Sequence, residues 1–261
     1  TDTENVTLAN ATIETTTNNT DGSILLMHFN NDSSIGENAT YFVDTGLTGN
    51  NGSCTTTSCP TLNTTDCVLG NCITLDGGDY IIIPDNSDWA LGGSEFAMEI
   101  WLNPVSIGAL EQIFSQWKQG GGTDRGWSLD MQTDGGPKFW ASEGSLGLAS
   151  SINLVANTWS HVAVVRRGNT WTIYVNGVEG GSTSSSDTIT NSATDVAIGV
   201  YEGNSPSSYF FEGSIDEFTI HNVSFTAAEI KEHYQSQRGG FVKAGNFTSQ
   251  IFDSGSTGTT W

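Results

Sequence analysis

The run TWSHVAVVRRGNTWTIYVNGVE, residues 158–179, decides the fold. Two apolar, β-branched stretches, SHVAVV and TWTIYV, flank Gly168-Asn169, and a second turn dipeptide, Asn176-Gly177, follows them. Gly and Asn reach positive φ at little steric cost, so the pattern predicts a β-hairpin that turns again into a third strand. The same punctuation continues outward. EFAMEIWLNP (95–104) alternates Phe96, Met98, Ile100 and Leu102 until Pro104 stops it. LEQIFSQW (110–117), GWSLDMQ (126–132) and PKFWAS (137–142) follow at meander spacing. ILLMHFN (24–30), DVAIGVY (195–201) and SYFFEGSIDEFTIHN (208–222) add strands, and CITLDGGDYIIIP (72–84) adds two around an Asp76–Asp79 turn. About a dozen short strands at this spacing predict an all-β antiparallel two-sheet sandwich. One helix is expected, at 227–236: Thr226 and Glu229 have capping-box spacing, Ala227, Ile230 and Tyr234 share a face, and Gly239 lies just past its end.

Composition fits one sandwich plus tails. The chain has 261 residues, 36% of them hydrophobic, with 31 Gly and 5 Pro, enough apolar content for a core at this length. Charge is lopsided: 29 acids against 8 bases give a net −21, and all eight bases lie at or after Lys118. A polyanion cannot neutralise phosphates, which excludes nucleic acid and anionic membranes as partners and leaves cations and neutral glycans. No apolar run is long enough to span a bilayer. No signal peptide is visible; the start reads as a processed terminus or an internal cut, and more chain is expected beyond the end.

Cys54, Cys59, Cys67 and Cys72 are spaced C-x4-C-x7-C-x4-C in a polar, turn-rich run. Zinc knuckles want C-x2-C, so two disulfides stapling an exposed insertion are the expectation, with a metal site as the alternative. A nested pairing, Cys54–Cys72 with Cys59–Cys67, satisfies one antiparallel register, among three possible connectivities. Asn-x-Ser/Thr sequons stand at Asn5, Asn10, Asn18, Asn31, Asn38, Asn51, Asn63, Asn222 and Asn246. Seven fall in the first 65 residues and none between 66 and 221. That clustering, with the cysteines, points to a glycosylated extracellular or cell-surface protein.

Taken together, TWSHVAVVRRGNTWTIYVNGVE, GSIDEFTIHNVSFTAAEIKEHY, ITLDGGDYIIIPDNSDW, FAMEIWLNP and HFNNDSS…VDTGLTGNNG resemble the laminin-G-like, concanavalin-A-like jelly roll of lectins, pentraxins and microbial, including archaeal, surface proteins. The resemblance covers about residues 24–236. It implies a jelly roll at 23–238, from which the 54–72 insertion departs, while the residues themselves read as a linker or donated strand at 1–22 and a strand-like extension at 239–261. It implies a Ca²⁺ site where the opening loop meets the last strand, held by Asp216 and Asp44 with help near Asn30. The chain departs from the family at Asn30 and Asn31, amides where acids are frequent.

Chemistry is sparse. Glucanases of related fold carry an E-x-D-x-x-E strand, which is missing; Asp216 and Glu217 are adjacent, so a regular strand points them to opposite faces. His28, His161, His221 and His233 lack metal spacing, and His161 reads as a core residue. The chain therefore reads as no enzyme. Two functions remain. One is a structural or adhesive surface protein that assembles with copies of itself or with other surface proteins through its terminal strands. The other is a lectin-like module using Trp117, Trp127, Trp140 and Tyr201 against sugars, although those tryptophans also suit packing between sheets. Trp101, Trp159, Trp171 and Phe218 have the size to fill that gap.

Overall fold

The computed structural model describes residues 22–118, 125–141, 144–201 and 208–238. Sixteen strands follow in chain order: β1 (Ser23–Met27), β2 (Tyr41–Phe42), β3 (Gly52–Ser53), β4 (Thr61–Asn63), β5 (Cys72–Asp76), β6 (Ile81–Ile83), β7 (Phe96–Pro104) and β8 (Glu111–Trp117) come first. Then come β9 (Arg125–Met131), β10 (Pro137–Ala141), β11 (Leu146–Ala149), β12 (Ser160–Arg167), β13 (Thr170–Val175), β14 (Val178–Ser184), β15 (Val196–Ile198) and β16 (Glu212–His221), before helix α1 (Ala227–Arg238). They form two antiparallel sheets. Sheet I runs β14-β13-β12-β7-β16-β5-β4, with β1 also on β16; sheet II runs β11-β10-β9-β8-β15-β6-β3-β2. The architecture is the jelly-roll sandwich that the strand pattern implied.

The deciding hairpin forms as read: β12 pairs β13 with Arg167 opposite Thr170, and Asn176 and Gly177 both take positive φ, 53° and 72°, in the turn to β14. Period-2 alternation sorts each strand into a core face and an outer face. Phe114 of sheet II stacks on Phe218 of sheet I at 4.8 Å, and Phe96 meets Trp171 edge-on at 5.5 Å. Trp89, Trp127, Phe139 and Phe211 complete a continuous dry core. Trp171 and Phe218 thus fill the gap between sheets. Trp101 and Trp159 do not: Trp101 lies on the outer face of sheet I against α1, stacked on Tyr234 at 5.6 Å, and half-buried Trp159 donates its indole N–H to the Asp66 carbonyl. Alternation explains Trp101, since Phe96, Met98, Ile100 and Leu102 take the inner positions of β7.

The polar stretch 31–71 supplies β2, β3 and β4, and β4 pairs β5 with Asn63 opposite Cys72. Two features differ from the sequence reading. The disulfides are sequential, Cys54–Cys59 and Cys67–Cys72, with Cα separations of 5.1 and 5.5 Å, in place of the nested Cys54–Cys72 and Cys59–Cys67. Cys54 directly follows β3 in sheet II while Cys72 opens β5 in sheet I, so no ribbon connects the outer cysteines and each pair closes its own tight loop. Finally, β16 is not regular at Asp216-Glu217. Its first half pairs β5 and its second half pairs β1, and the register shifts between Asp216 and Thr219 where the neighbours change. Glu217 sits there at φ 50°, so the alternation that would send these two acids to opposite faces is interrupted.

The capping box is present: Glu229 N–H donates to Thr226 Oγ1, and Thr226 N–H donates to Glu229 Oε2 at 2.7 Å. Of the expected apolar face, Ile230 is fully buried on Ala97, Ala163 and Val165, Tyr234 is half-buried and Ala227 is exposed. The helix runs two residues beyond the expected end, to Arg238. Gly239, the extension 239–261, residues 1–21 and the sequons at Asn5, Asn10, Asn18 and Asn246 lie outside the described residues.

Candidate functional site

Helix α1 covers part of the outer face of sheet I. The outer face of sheet II holds a cleft. Along β9, Trp127, Leu129 and Met131 point to the core, so Ser128 and Asp130 point outward; along β10, Phe139 points in and Lys138 and Trp140 point out. Register places Trp140 opposite Ser128 and Ser128 opposite Ser115, and it places Lys138 opposite Asp130 and Asp130 opposite Gln112. Gln112, Ser128 and Asp130 make the floor of a cleft of about 380 Å³, walled by Trp117, Trp140, Tyr201 and Tyr209. That volume falls in the range of small-molecule sites, about 300–1,000 Å³. Tyr201 and Tyr209 meet edge-on at 5.7 Å. Arg125 lies over the Trp117 ring at 5.5 Å, and the Lys138 ammonium lies over Trp140 at 3.7 Å.

Asp130 is the one carboxylate among the described lining residues. Burial pushes its pKa up to about 6, against N–H and O–H donors from Trp140, Gln112 and Ser128 and the charge of Lys138. Glycosidic hydrolysis needs two facing carboxylates roughly 5–10 Å apart, and the described lining offers one. Of the four aromatic candidates, Trp117, Trp140 and Tyr201 converge on this cleft. Trp127 does not; it is fully buried and packs edge-on against Phe114 in the core. Tyr209, Arg125, Asp130 and Gln112 were not singled out from sequence. The alternation in GWSLDMQ and PKFWAS carried the signal for Asp130, because β9 puts Ser128 and Asp130, and β10 puts Lys138 and Trp140, on the non-core face.

The proposed calcium ligands are separately engaged. Asp44 accepts the backbone N–H groups of Leu26, Gly46 and Asn50 and the Thr48 hydroxyl. Asp216 accepts the N–H groups of Val68, Leu69 and Glu217, and burial pushes its pKa up to about 8. Asn30 takes the Asn71 N–H on its side-chain oxygen and the Asn71 amide on its backbone carbonyl. Ca²⁺ wants six to eight free oxygens; oxygens aimed at N–H donors do not fit it, and among the described residues no group of three acidic, His or Cys side chains is spaced for a metal.

Three histidine–carboxylate contacts, in two clusters, serve the fold. His28 Nδ1 lies 2.9 Å from Glu217, which raises the His28 pKa. Beneath α1, buried Glu99 lies 3.1 Å from His161 and 2.9 Å from His233. Burial opposes ionisation of Glu99, but the two imidazoles outweigh it and hold its pKa down at about 2. His161 is fully buried, in accord with its reading as a core residue. Of the sequons in described residues, Asn31, Asn38 and Asn222 are exposed and Asn51 and Asn63 are half-buried.

Comparison with known proteins places the chain. By fold it is similar to the binding domain of Paraclostridial Mosquitocidal Protein 1 (TM-score 0.63, 16% identity, 83% of this chain and 52% of that one). It is similar to the botulinum neurotoxin serotype D ligand-binding domain solved in complex with N-acetylneuraminic acid (TM-score 0.56, 18% identity, 83% and 51%). It is also similar to domain 4 of AbnA, a GH43 extracellular arabinanase from Geobacillus stearothermophilus, in complex with arabinotriose (TM-score 0.55, 19% identity, 80% and 97%). The chain spans about half the length of the toxin binding domains and nearly all of the arabinanase domain. No curated protein matches it by sequence. The family model of the concanavalin A-like lectin/glucanases superfamily matches residues 75–231, well over half of the chain, and the chain belongs to that family.

Proposed function

We propose that this chain is a non-catalytic, extracellular carbohydrate-binding module whose sugar site is the sheet II cleft. The observation that carries the reading is the convergence of Trp117, Trp140, Tyr201 and Tyr209 over a polar floor of Gln112, Ser128 and Asp130. Sugar rings present C–H faces that pack on aromatic rings and hydroxyls that need fixed polar partners, and this cleft offers both. The fold shared with an arabinotriose-binding domain supports the reading. So does the placement of the sequons. Those in described residues lie between β1 and β4 or just after β16, away from β8, β9 and β10, and glycans there leave the cleft open.

Glycan-array binding followed by calorimetry tests it. Trp140→Ala is expected to lower affinity at least tenfold, while Trp159→Ala, on the other sheet, leaves it unchanged. Binding that survives Trp140→Ala removes the cleft from the reading.

Self-assembly is the second reading. β14 ends sheet I; its sequence VEGGSTS carries a single charge, and away from the Gly180 carbonyl, which takes the Ser151 N–H, such an edge accepts an added strand. Deleting residues 1–22 and measuring mass by light scattering tests this; a full-length chain that is monomeric at every concentration ends it.

A further inference from the structure

We infer that the cleft selects saccharides bearing a carboxylate, with Arg125 as the counter-charge; this rests on the cleft being the sugar site. Trp117 is 6% exposed and its indole Nε1–H has no hydrogen-bond partner. Arg125 Nε, buried beside it, has none either. Both belong to residues lining the cleft, at the end of β8 and the start of β9, and the guanidinium sits over the indole at 5.5 Å. Buried donors without acceptors are rare in folded proteins and mark where an acceptor is missing.

The charge balance sharpens the point. The chain carries 29 acids and 8 bases, so an arginine among the described residues finds acids on most of its surface. Arg166 instead serves backbone carbonyls of Gly92 and Gly168. Arg125 has no carboxylate within ion-pair distance among the described residues, and its only recorded partner is the Trp117 ring. Lys138 stands over the facing wall, on Trp140. Among the described residues, Arg125 is thus the one cation lining a cleft whose one carboxylate, Asp130, is buried and engaged with Trp140. Two neighbouring donors without partners, one of them on a guanidinium, suit the two oxygens of a carboxylate. Neutral sugars, with hydroxyls only, leave that charge unanswered. A uronic or sialic acid unit stacked between the aromatic walls directs its carboxylate to Arg125.

The test compares paired probes on the intact chain by calorimetry: trigalacturonate against its methyl ester, and sialyllactose against lactose. At least one acid is expected to bind tenfold or more above its neutral partner, and raising NaCl from about 0.05 to 0.5 M is expected to erode that margin. Arg125→Gln, checked for an unchanged melting temperature, is expected to bring the acid-to-neutral ratio close to one. A ratio near one in the wild type, or a ratio that Arg125→Gln leaves intact, overturns the inference. A sulfated oligosaccharide preferred over both acids also overturns it, since the donors then read general negative charge. Neutral sugars that bind through Trp140 with no acid preference sink this inference alone; no sugar binding at all sinks the proposed function with it.

Discussion

Trp140 donates its indole N–H to Asp130 across the β9–β10 pair, Nε1 to Oδ2 2.8 Å, so the wall of the cleft is fastened to its floor. Asp130 carries a raised pKa, about 6 against an ordinary 3.8. Between about pH 4 and 6 the folded chain therefore holds a proton that the unfolded chain has released. Folding stability must fall as pH rises through that window, by up to about 3 kcal/mol from this group. Asp216, raised to about 8, has the same sign and carries the fall on toward pH 8. In urea unfolding, Asp130→Asn is expected to shrink the stability difference between pH 4 and 6 while leaving that between pH 6 and 8. An unchanged difference between pH 4 and 6 shows that Asp130 ionises as a solvated acid.

Glu99 holds helix α1 to sheet I. Its contacts to His161 and His233 bridge β7, β12 and the helix, and Trp101 adds an indole N–H to Gln237. Removing one partner of a buried ionic cluster strands the rest, so Glu99→Ala is expected to destabilise by about 3 kcal/mol. The His233 pKa is raised, so its contribution is full below about pH 6.5 and is lost as pH climbs through the folded pKa. Glu99 is depressed to about 2, so its contribution is full above about pH 4.5 and fails toward pH 2. Protection of the amides of residues 227–238, with the intrinsic exchange rate divided out, is expected to be highest between those limits and to lose its alkaline fall in His233→Ala. Protection that stays flat across neutral pH in the wild type counts against the latch.

The disulfide pairing separates cleanly by proteolysis. Chymotryptic cleavage after Leu62, without reduction, is expected to release Cys54–Cys59 and Cys67–Cys72 in two separate peptides. A single cross-linked product rules out the sequential pairing and leaves the nested or the crossed one. Each loop closes across a sequence separation of 5, and loops this short contribute about 2 kcal/mol each by the chain-entropy estimate. Reduction therefore lowers the melting temperature and leaves the sandwich folded.

Calcium is not expected to stabilise the fold through Asp44 or Asp216. EDTA should move the melting temperature by less than about 1 °C, since each carboxylate is already saturated with N–H and O–H donors. Asp44→Ala is expected to cost about 2–4 kcal/mol by orphaning the amides of Leu26, Gly46 and Asn50. A Ca²⁺-dependent rise in melting temperature that Asp44→Ala abolishes would reverse this assignment.

Period-2 alternation and turn chemistry are local properties, so the hairpin at 158–179, the capping box at Thr226 and the sandwich class were legible from the residues alone. Which sheet each strand joins is a long-range matter. Asp76–Asp79 reads as a turn either way, yet it passes the chain from β5 in sheet I to β6 in sheet II, and the cysteine pairing depends on a similar crossing. The cleft was half legible. Trp117, Trp140 and Tyr201 were named from their chemistry, and so was Trp127, which the alternation of β9 with Leu129 and Met131 turns to the core. Arg125 and Asp130 escaped because a lone charge in a strand gains meaning only from what does or does not lie opposite it.

The pairing of Ser23 with His221 sets how the module responds to force. Those residues mark where the chain enters β1 and leaves β16, and they sit at the same end of an antiparallel pair. Tension applied through residues 22 and 222 loads the ladder one rung at a time, as in opening a zipper, instead of shearing all rungs together. Tension that has first peeled α1 from sheet I would reach this pair next and open it from the Ser23–His221 end. Because β8, β9 and β10 lie in the other sheet, the aromatic cleft would stay assembled while β1 peels away.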